Sequence, residues 1–477
     1  MNLSPALAET AARLLPKRPI EVMAPELPAH TAASLQPSPA PAPPPAPTPD
    51  SETEMQSASL ATPTHPAPQP RVRRSAPLLR GNIQHHWVLG PDLTFINHAQ
   101  YGACTKAVLR AQSDIRERIE RDPVRFFKVD LEPLMDGVRE KVASYVHCNP
   151  ADLLLLRNAT HGLCTIFRTT KWTPGDEILI TDHDYACVPN ELERLSRDHG
   201  VVVVKAPIPF PVTNPQQITQ HVLERVTRRT RMVCLSHITS ASSLILPAAA
   251  IIRELNAAGI DSLLDGAHSP GQIPVDISAL QPTYFVGSGH KWMSGPKGSA
   301  FVYVRADKQA AFRPLALTAR AHKVRPERAQ FLRDFDYQGT DDYSPILSLP
   351  AAIESLGSLL PGGWPALMRH NHELAMAARD VFCDTLACEP TAPESMTGSM
   401  FTLLIPDPPE HLLVRPTCYD DALQDVLYER YRIIAPVWRL ASTNQRVIRI
   451  SAQVYNTIEH YEFAAKALKT ELDNEHR

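Results

Sequence analysis

No apolar run in the 477 residues approaches the roughly 18 needed to cross a bilayer, so no membrane-spanning segment is expected. Neither charge sign dominates. The 48 Lys and Arg stand against 51 Asp and Glu, a formal net charge of -3 that leaves no basic footprint for nucleic acid or an anionic membrane. The cysteines lack the C-x-x-C spacing of zinc or redox sites. Cys104, Cys148, Cys164, Cys187, Cys234, Cys383, Cys388 and Cys418 stand singly, and are expected to be reduced, mostly buried thiols of a cytoplasmic protein with no metal site. A Walker loop, a G-x-G-x-x-G fingerprint and internal repeats are all missing, which weakens nucleotide-binding and repeat readings.

Proline is in excess, and unevenly so. Over a third of the 46 prolines fall in the first 80 residues, which separates a Pro/Ala-rich leader (1–80), expected to be disordered, from a globular body. Residues 36–50, QPSPAPAPPPAPTPD, read as an extended polyproline linker, because proline fixes φ and removes amide donors. Residues 4–15 have room for one short helix but lack the ordered charged, apolar and cleavable parts of a secretion signal. Arg71 to Arg74 reads as a solvated charge patch at the linker's end.

From about residue 90 onward, short β-branched or leucine runs alternate with longer helical patterns, as in a largely parallel sheet covered on both faces. The runs are Leu153 to Leu156, Ile178 to Thr181, Val201 to Val204, Met232 to Leu235, Ser262 to Leu264, Tyr284 to Val286 and Phe301 to Val304. Ligands of open α/β sheets bind beyond the carboxyl ends of strands, so the residues after each run are where chemistry is expected.

Three of those stretches stand out. Arg157-Asn158-Ala159-Thr160-His161-Gly162 opens a helical pattern and offers a hydroxyl and free backbone amides to a phosphate; taken alone it reads first as an ordinary Thr or Asn N-cap. Asp265-Gly266-Ala267-His268 sets a carboxylate at a strand end with an imidazole three residues on, suited to a cation or a heterocyclic nitrogen, or simply to a turn. Gly287-Ser288-Gly289-His290-Lys291-Trp292 places a lysine in a largely apolar connection, where desolvation favours the neutral, imine-forming amine unless the side chain snorkels to the surface. Together these are the three attachments of pyridoxal 5'-phosphate: a phosphate cradle, an acid for the ring nitrogen and a lysine for the aldehyde carbon.

The chain resembles the class V branch of the fold type I pyridoxal-phosphate enzymes, and most closely the isopenicillin N epimerase-like group. The resemblance runs from about residue 90 to 465 through Phe95-Ile96-Asn97-His98 with Tyr101-Gly102, Asn158 to Gly162, Thr181-Asp182-His183-Asp184-Tyr185, Ser236-His237, Asp265 to His268, Ser288 to Lys291, Gly339-Thr340 and Arg449 to Asn456 (RISAQVYN). It implies Lys291 as the Schiff-base lysine and Asp265 as the partner of the pyridine nitrogen. His237 and His268 are implied for the ring's phenolate oxygen, and Ala159, Thr160, Ser288 and His290 for the phosphate. His183 or Tyr185 is implied as the ring-stacking residue, Arg449 as the anchor of the substrate carboxylate, and Thr340 as a phosphate contact in the neighbouring subunit of a homodimer. Asn97 and His98 are expected to line the substrate pocket or to be structural. Arg449, in an alternating VIRIS stretch, also reads as an exposed edge-strand residue.

The resemblance implies an α/β fold: a large domain (115–340) with a mainly parallel mixed sheet, a smaller C-terminal α+β domain (341–477), and a segment (81–114) packing on the latter. It also implies a reaction in which the substrate amine displaces Lys291 as an external aldimine forms and Cα is deprotonated. Epimerisation of an amino acid is the first expectation, with His183 or Tyr185 as the proton donor opposite Lys291. Elimination from a cysteine derivative by a C–S lyase or desulfurase is the second, although Ile433 to Trp438 lacks the cysteine that persulfide transfer requires. Transamination is the third, and a non-catalytic binding protein on the same fold is the remaining alternative.

Overall fold

The computed structural model describes residues 74–77 and 83–476 except 322 and 414. The expected leader, with its short helix and polyproline stretch, lies outside the described residues apart from 74–77. There Arg74 is not a simply solvated charge, because it ion-pairs with Glu394 at 2.7 Å and Asp380 at 3.3 Å.

Each apolar run forms a strand. A two-residue strand β1 (Thr94–Phe95) comes first, followed by β2 (Leu153–Leu156), β3 (Glu177–Thr181), β4 (Val202–Ala206), β5 (Thr230–Ser236), β6 (Asp261–Gly266), β7 (Tyr284–Ser288) and β8 (Ala300–Val304). Strands β2 to β8 build one seven-stranded sheet in the order β2-β8-β7-β6-β5-β3-β4. Only β8 runs against its neighbours, so β2 points the same way as β7 and the carboxyl ends of β2, β3, β5, β6 and β7 share one edge. Helices cover both faces, which is why the inner strands are continuous apolar runs; β4, at the sheet's end, is the one exposed along most of its length.

The C-terminal third adds an antiparallel sheet in the order β11-β12-β9, from β9 (Met400–Leu404), β11 (Val437–Arg439) and β12 (Arg446–Ser451). Helices Gly363–Leu386 and Ile458–Glu475 pack with it around Leu374, Phe382, Phe401, Leu403, Ile448 and Leu468. β1 pairs in parallel with β10 (Ile433–Ile434), and Ser451 N–H donates to Ile96 O at 2.9 Å, which fastens the 94–104 stretch beside β12. The edge-strand reading of Arg449 is overturned. β12 is the central strand, and Arg449, opposite Thr402, is 2% exposed.

None of the eight cysteines is in a disulfide; Cys104, Cys234 and Cys383 are buried, Cys148, Cys164, Cys187 and Cys388 half-buried and Cys418 exposed. No described helix is long and apolar enough to cross a membrane.

Candidate active site

A cavity of about 980 Å³ opens beyond the shared carboxyl edge of the large sheet. It collects side chains from the loops after β2, β3, β5, β6 and β7, and from the β11–β12 hairpin.

Lys291 lies in the β7–β8 connection, held by Gly289 N–H to Ser299 O (2.9 Å), Gly295 N–H to Gly289 O (2.8 Å) and two fully buried neighbours, Trp292 and Met293. Gly102, at φ 66°, packs so closely on this loop that a side-chain carbon there would collide with the His290 carbonyl. Burial draws the Lys291 ammonium down to about 8, with the Asp265 carboxylate pulling the other way. Its Nζ lies 3.1 Å from His268 Nε2, and Trp292 Nε1–H donates to His268 Nδ1 at 3.4 Å. Burial keeps His268 neutral, so it carries one N–H; with Nδ1 accepting, that proton sits on Nε2 and Lys291 Nζ is the acceptor. Only a neutral amine can accept.

Asp265, at the end of β6, is buried and takes Ala267 N–H at 2.9 Å; burial raises its pKa, and that N–H and Lys291 oppose the rise. After β2, helix Ala159–Thr169 starts at Asn158, whose side chain caps His161 N–H at 2.8 Å. The N-cap reading is therefore correct for Asn158, and it leaves the first turn around Ala159 and Thr160 facing the cavity. Ser288 and His290 line the same region, and Ser288 Oγ and His290 Nδ1 are buried with no protein partner. A cluster of donors without acceptors is suited to an anion.

His183 and Tyr185 come from the loop after β3. Asp184, to which no role was expected, holds that loop: its carboxylate takes N–H and Oγ1–H of Thr181 (2.7 and 3.0 Å) and N–H and Oγ–H of Ser236 (2.8 Å each), and burial pushes it up to about 6. His183 is buried with both ring nitrogens engaged, Nδ1 by Ser242 Oγ at 2.7 Å and Nε2 by Ser442 Oγ at 3.1 Å. Tyr185 also lines the cavity and is 49% exposed.

Arg449 enters from β12. Nη1 donates to Ser240 O at 2.7 Å, Nη2 donates to Asn97 Oδ1 at 3.3 Å, and the guanidinium lies 4.9 Å from the Trp438 ring centre. These partners are neutral. Uncompensated burial pulls Arg449 down to about 9, and a buried cation flanked by neutral acceptors is poised for an incoming carboxylate.

Lys291, Asp265, His268, His183, Tyr185, Ala159, Thr160, Ser288, His290 and Arg449 thus share one cavity. Four expected residues do not line it. His237, in the bend just after β5, is not among the lining residues, and its Nδ1 is buried without a partner. His98 is a buried brace, with Nδ1 on Tyr455 OH (2.9 Å) and Nε2 on Lys291 O (3.1 Å), and burial draws it down to about 3. Asn97 supports Arg449. Thr340 is exposed, 3.1 Å from Tyr337 OH. Asp184, Ser240 and Trp438 went unassigned in sequence, because their roles depend on contacts with other strands and loops: Asp184 with Ser236, Trp438 with Arg449 on the paired strand, and Ser240 with Arg449.

An imine-forming amine, a buried carboxylate for a ring nitrogen and an orphaned donor set for a phosphate fit pyridoxal phosphate. Fold and site define an α/β enzyme of the fold type I class. The chain belongs to the class-V aminotransferase family, a pyridoxal-phosphate-dependent family whose model matches residues 116–404. It is 30% identical over 402 residues to an isopenicillin N epimerase of Amycolatopsis lactamdurans, covering 81% of this chain and 97% of that protein. It is 26% identical over 415 residues to a putative L-cysteine desulfhydrase of Oryza sativa subsp. japonica, covering 81% and 84%. The solved structure of a lysine-to-alanine mutant of C-DES, with glycine covalently linked to its PLP cofactor, shares the fold with a TM-score of 0.70 at 19% identity, covering 81% of this chain and 98% of that one.

Proposed function

We propose that this chain uses pyridoxal phosphate to remove the Cα proton of an amino acid and return it to the opposite face, an epimerisation. The observation that supports this most directly is the meeting of a Lys291 whose ammonium is destabilised by burial, a buried Asp265 and an uncompensated Arg449 in one cavity. When bound, the coenzyme supplies an aldehyde for amine capture and a ring that draws off the electron pair left at Cα. Asp265 sets a negative charge where the ring nitrogen's proton belongs, stronger there for being dry. Arg449 binds the substrate carboxylate and so fixes which Cα bond faces the amine. Lys291, released by the substrate amine, takes the Cα proton at Nζ.

The donor on the far side is Tyr185. Both His183 nitrogens are engaged and burial lowers its pKa, so it acts as a neutral ring wall, whereas the half-exposed Tyr185 phenol lines the cavity. A homodimer in the cytoplasm, with Thr340 reaching the neighbouring site and closure between 115–340 and 341–477 gating entry, completes the proposal.

Elimination from a cysteine derivative is the second reading, favoured by the desulfhydrase likeness. It requires the same proton removal but no far-face donor, and the cysteine-free Ile433 to Trp438 stretch keeps persulfide transfer out of it. Holoenzyme incubated with single amino acids in deuterium oxide distinguishes them. Deuterium at Cα with loss of chirality supports epimerisation; pyruvate from cysteine supports elimination; retained configuration without exchange across the panel contradicts both.

A further inference from the structure

We propose that Ser442 is a positioning residue that fixes the orientation and tautomer of the His183 ring, tying the cavity wall on the large sheet to the hairpin that carries Arg449. The inference rests on the reading above, in which His183 walls the coenzyme.

The turn that presents Ser442 is built, not slack. Between β11 and β12 the chain closes through Leu440 N–H to Gln445 O (2.9 Å) and Asn444 N–H to Leu440 O (2.8 Å), with Asn444 in the left-handed region at φ 57°. Trp438 precedes this turn on β11 and stacks on Arg449, which follows it on β12. From this turn Ser442 Oγ lies 3.1 Å from His183 Nε2, in the loop after β3.

On the other side of the ring lies a chain of two hydroxyls. Thr239 Oγ1 takes Leu244 N–H at 2.8 Å and lies 2.7 Å from Ser242 Oγ, which lies 2.7 Å from His183 Nδ1. With Thr239 donating to Ser242 and Ser242 to Nδ1, the imidazole proton falls on Nε2, directed at Ser442. Phe210 packs edge-on at 5.8 Å, and the charged group facing the ring is Asp182, whose Oδ1 is 4.0 Å from Nε2 and is already engaged by Ile208 N–H at 2.8 Å. Without Ser442 the ring is free to turn Nε2 toward Asp182, and the protonated imidazole gains a partner.

Ser442→Ala holoenzyme is therefore expected to bind pyridoxal phosphate about three- to tenfold more weakly, the range of one lost hydrogen bond, and to gain a new transition in its coenzyme absorption band near neutral pH as His183 takes up a proton. Ser442→Thr, which keeps the hydroxyl, restores both properties. An alanine variant with the wild-type affinity and wild-type pH profile overturns the proposal, as does a threonine variant that behaves like alanine. Borohydride labelling of Lys291 in the unmodified chain reports separately on the underlying reading: label on Lys291 with an unaffected Ser442→Ala variant rejects the role of Ser442 alone.

Discussion

Lys291 Nζ accepts a hydrogen bond from His268 Nε2 at 3.1 Å, a direction dictated by Trp292 Nε1–H on the far ring nitrogen. That contact selects the neutral form of the amine, which burial makes accessible by drawing the lysine down to about 8. The Trp292 ring, one residue beyond the lysine and fully buried, thus favours through His268 the neutral amine that capture requires.

The first consequence concerns pH. With the Lys291 pKa drawn down to about 8, the reactive amine fraction falls roughly tenfold per unit below that value. Capture of pyridoxal phosphate by the apoenzyme is expected to accelerate through about pH 8 and then level off. Asp265→Asn removes a charge that raises the lysine pKa, so its midpoint moves to lower pH. Stopped-flow absorbance at a series of pH values checks both the midpoint and its direction.

Arg449→Met separates binding from stability. Losing a desolvated charge pair with the substrate carboxylate costs at least about 2 kcal/mol, roughly thirtyfold in kcat/KM, carried mainly by KM. Since the guanidinium is buried without an opposing charge, the apoenzyme's thermal midpoint is expected to hold level or rise. Steady-state kinetics with calorimetry on the same variant reads both.

Asp184→Asn addresses the loop that carries His183 and Tyr185. Each carboxylate oxygen receives one backbone N–H, from Thr181 and from Ser236, and an amide nitrogen must face one of those donors. A loss of about 2–3 kcal/mol in stability is expected, the range for a buried donor left without an acceptor, measurable by urea unfolding.

Tyr185→Phe tests the assignment of the far-face donor. The variant is expected to exchange Cα hydrogen for deuterium at close to the wild-type rate while inverting configuration about a hundredfold more slowly, in line with the loss of one general acid. Chiral chromatography of the recovered amino acid measures it.

Much of the fold was legible because the strands other than β4 are largely buried on both faces and contain apolar runs, from Leu153 to Val304. Lys291, Asp265 and the Asn158–Thr160 turn were legible because short loops place them directly after those strands. Their neighbours were harder to read. His237 follows Ser236 in the same motif, yet β5 ends at Ser236 and only Ser236 of the two lines the cavity. His98 reads like a ligand, but both its nitrogens are taken by Tyr455 and Lys291, which lie 357 and 193 residues away. Arg449 in VIRIS reads as an edge residue until β9 and β11 flank its strand, and Ser240, which holds its guanidinium, is 209 residues distant. Pairings of such separation leave no local pattern to find.

The central claim is that the Lys291 amine forms the covalent link to pyridoxal phosphate. Reduction of the yellow holoenzyme with borohydride, followed by peptide mapping, tests it most directly. A phosphopyridoxyl group on Lys291, lost together with the absorption band in Lys291→Ala, is the expected result. A label on any other lysine, or a Lys291→Ala protein that keeps the reducible band, contradicts it.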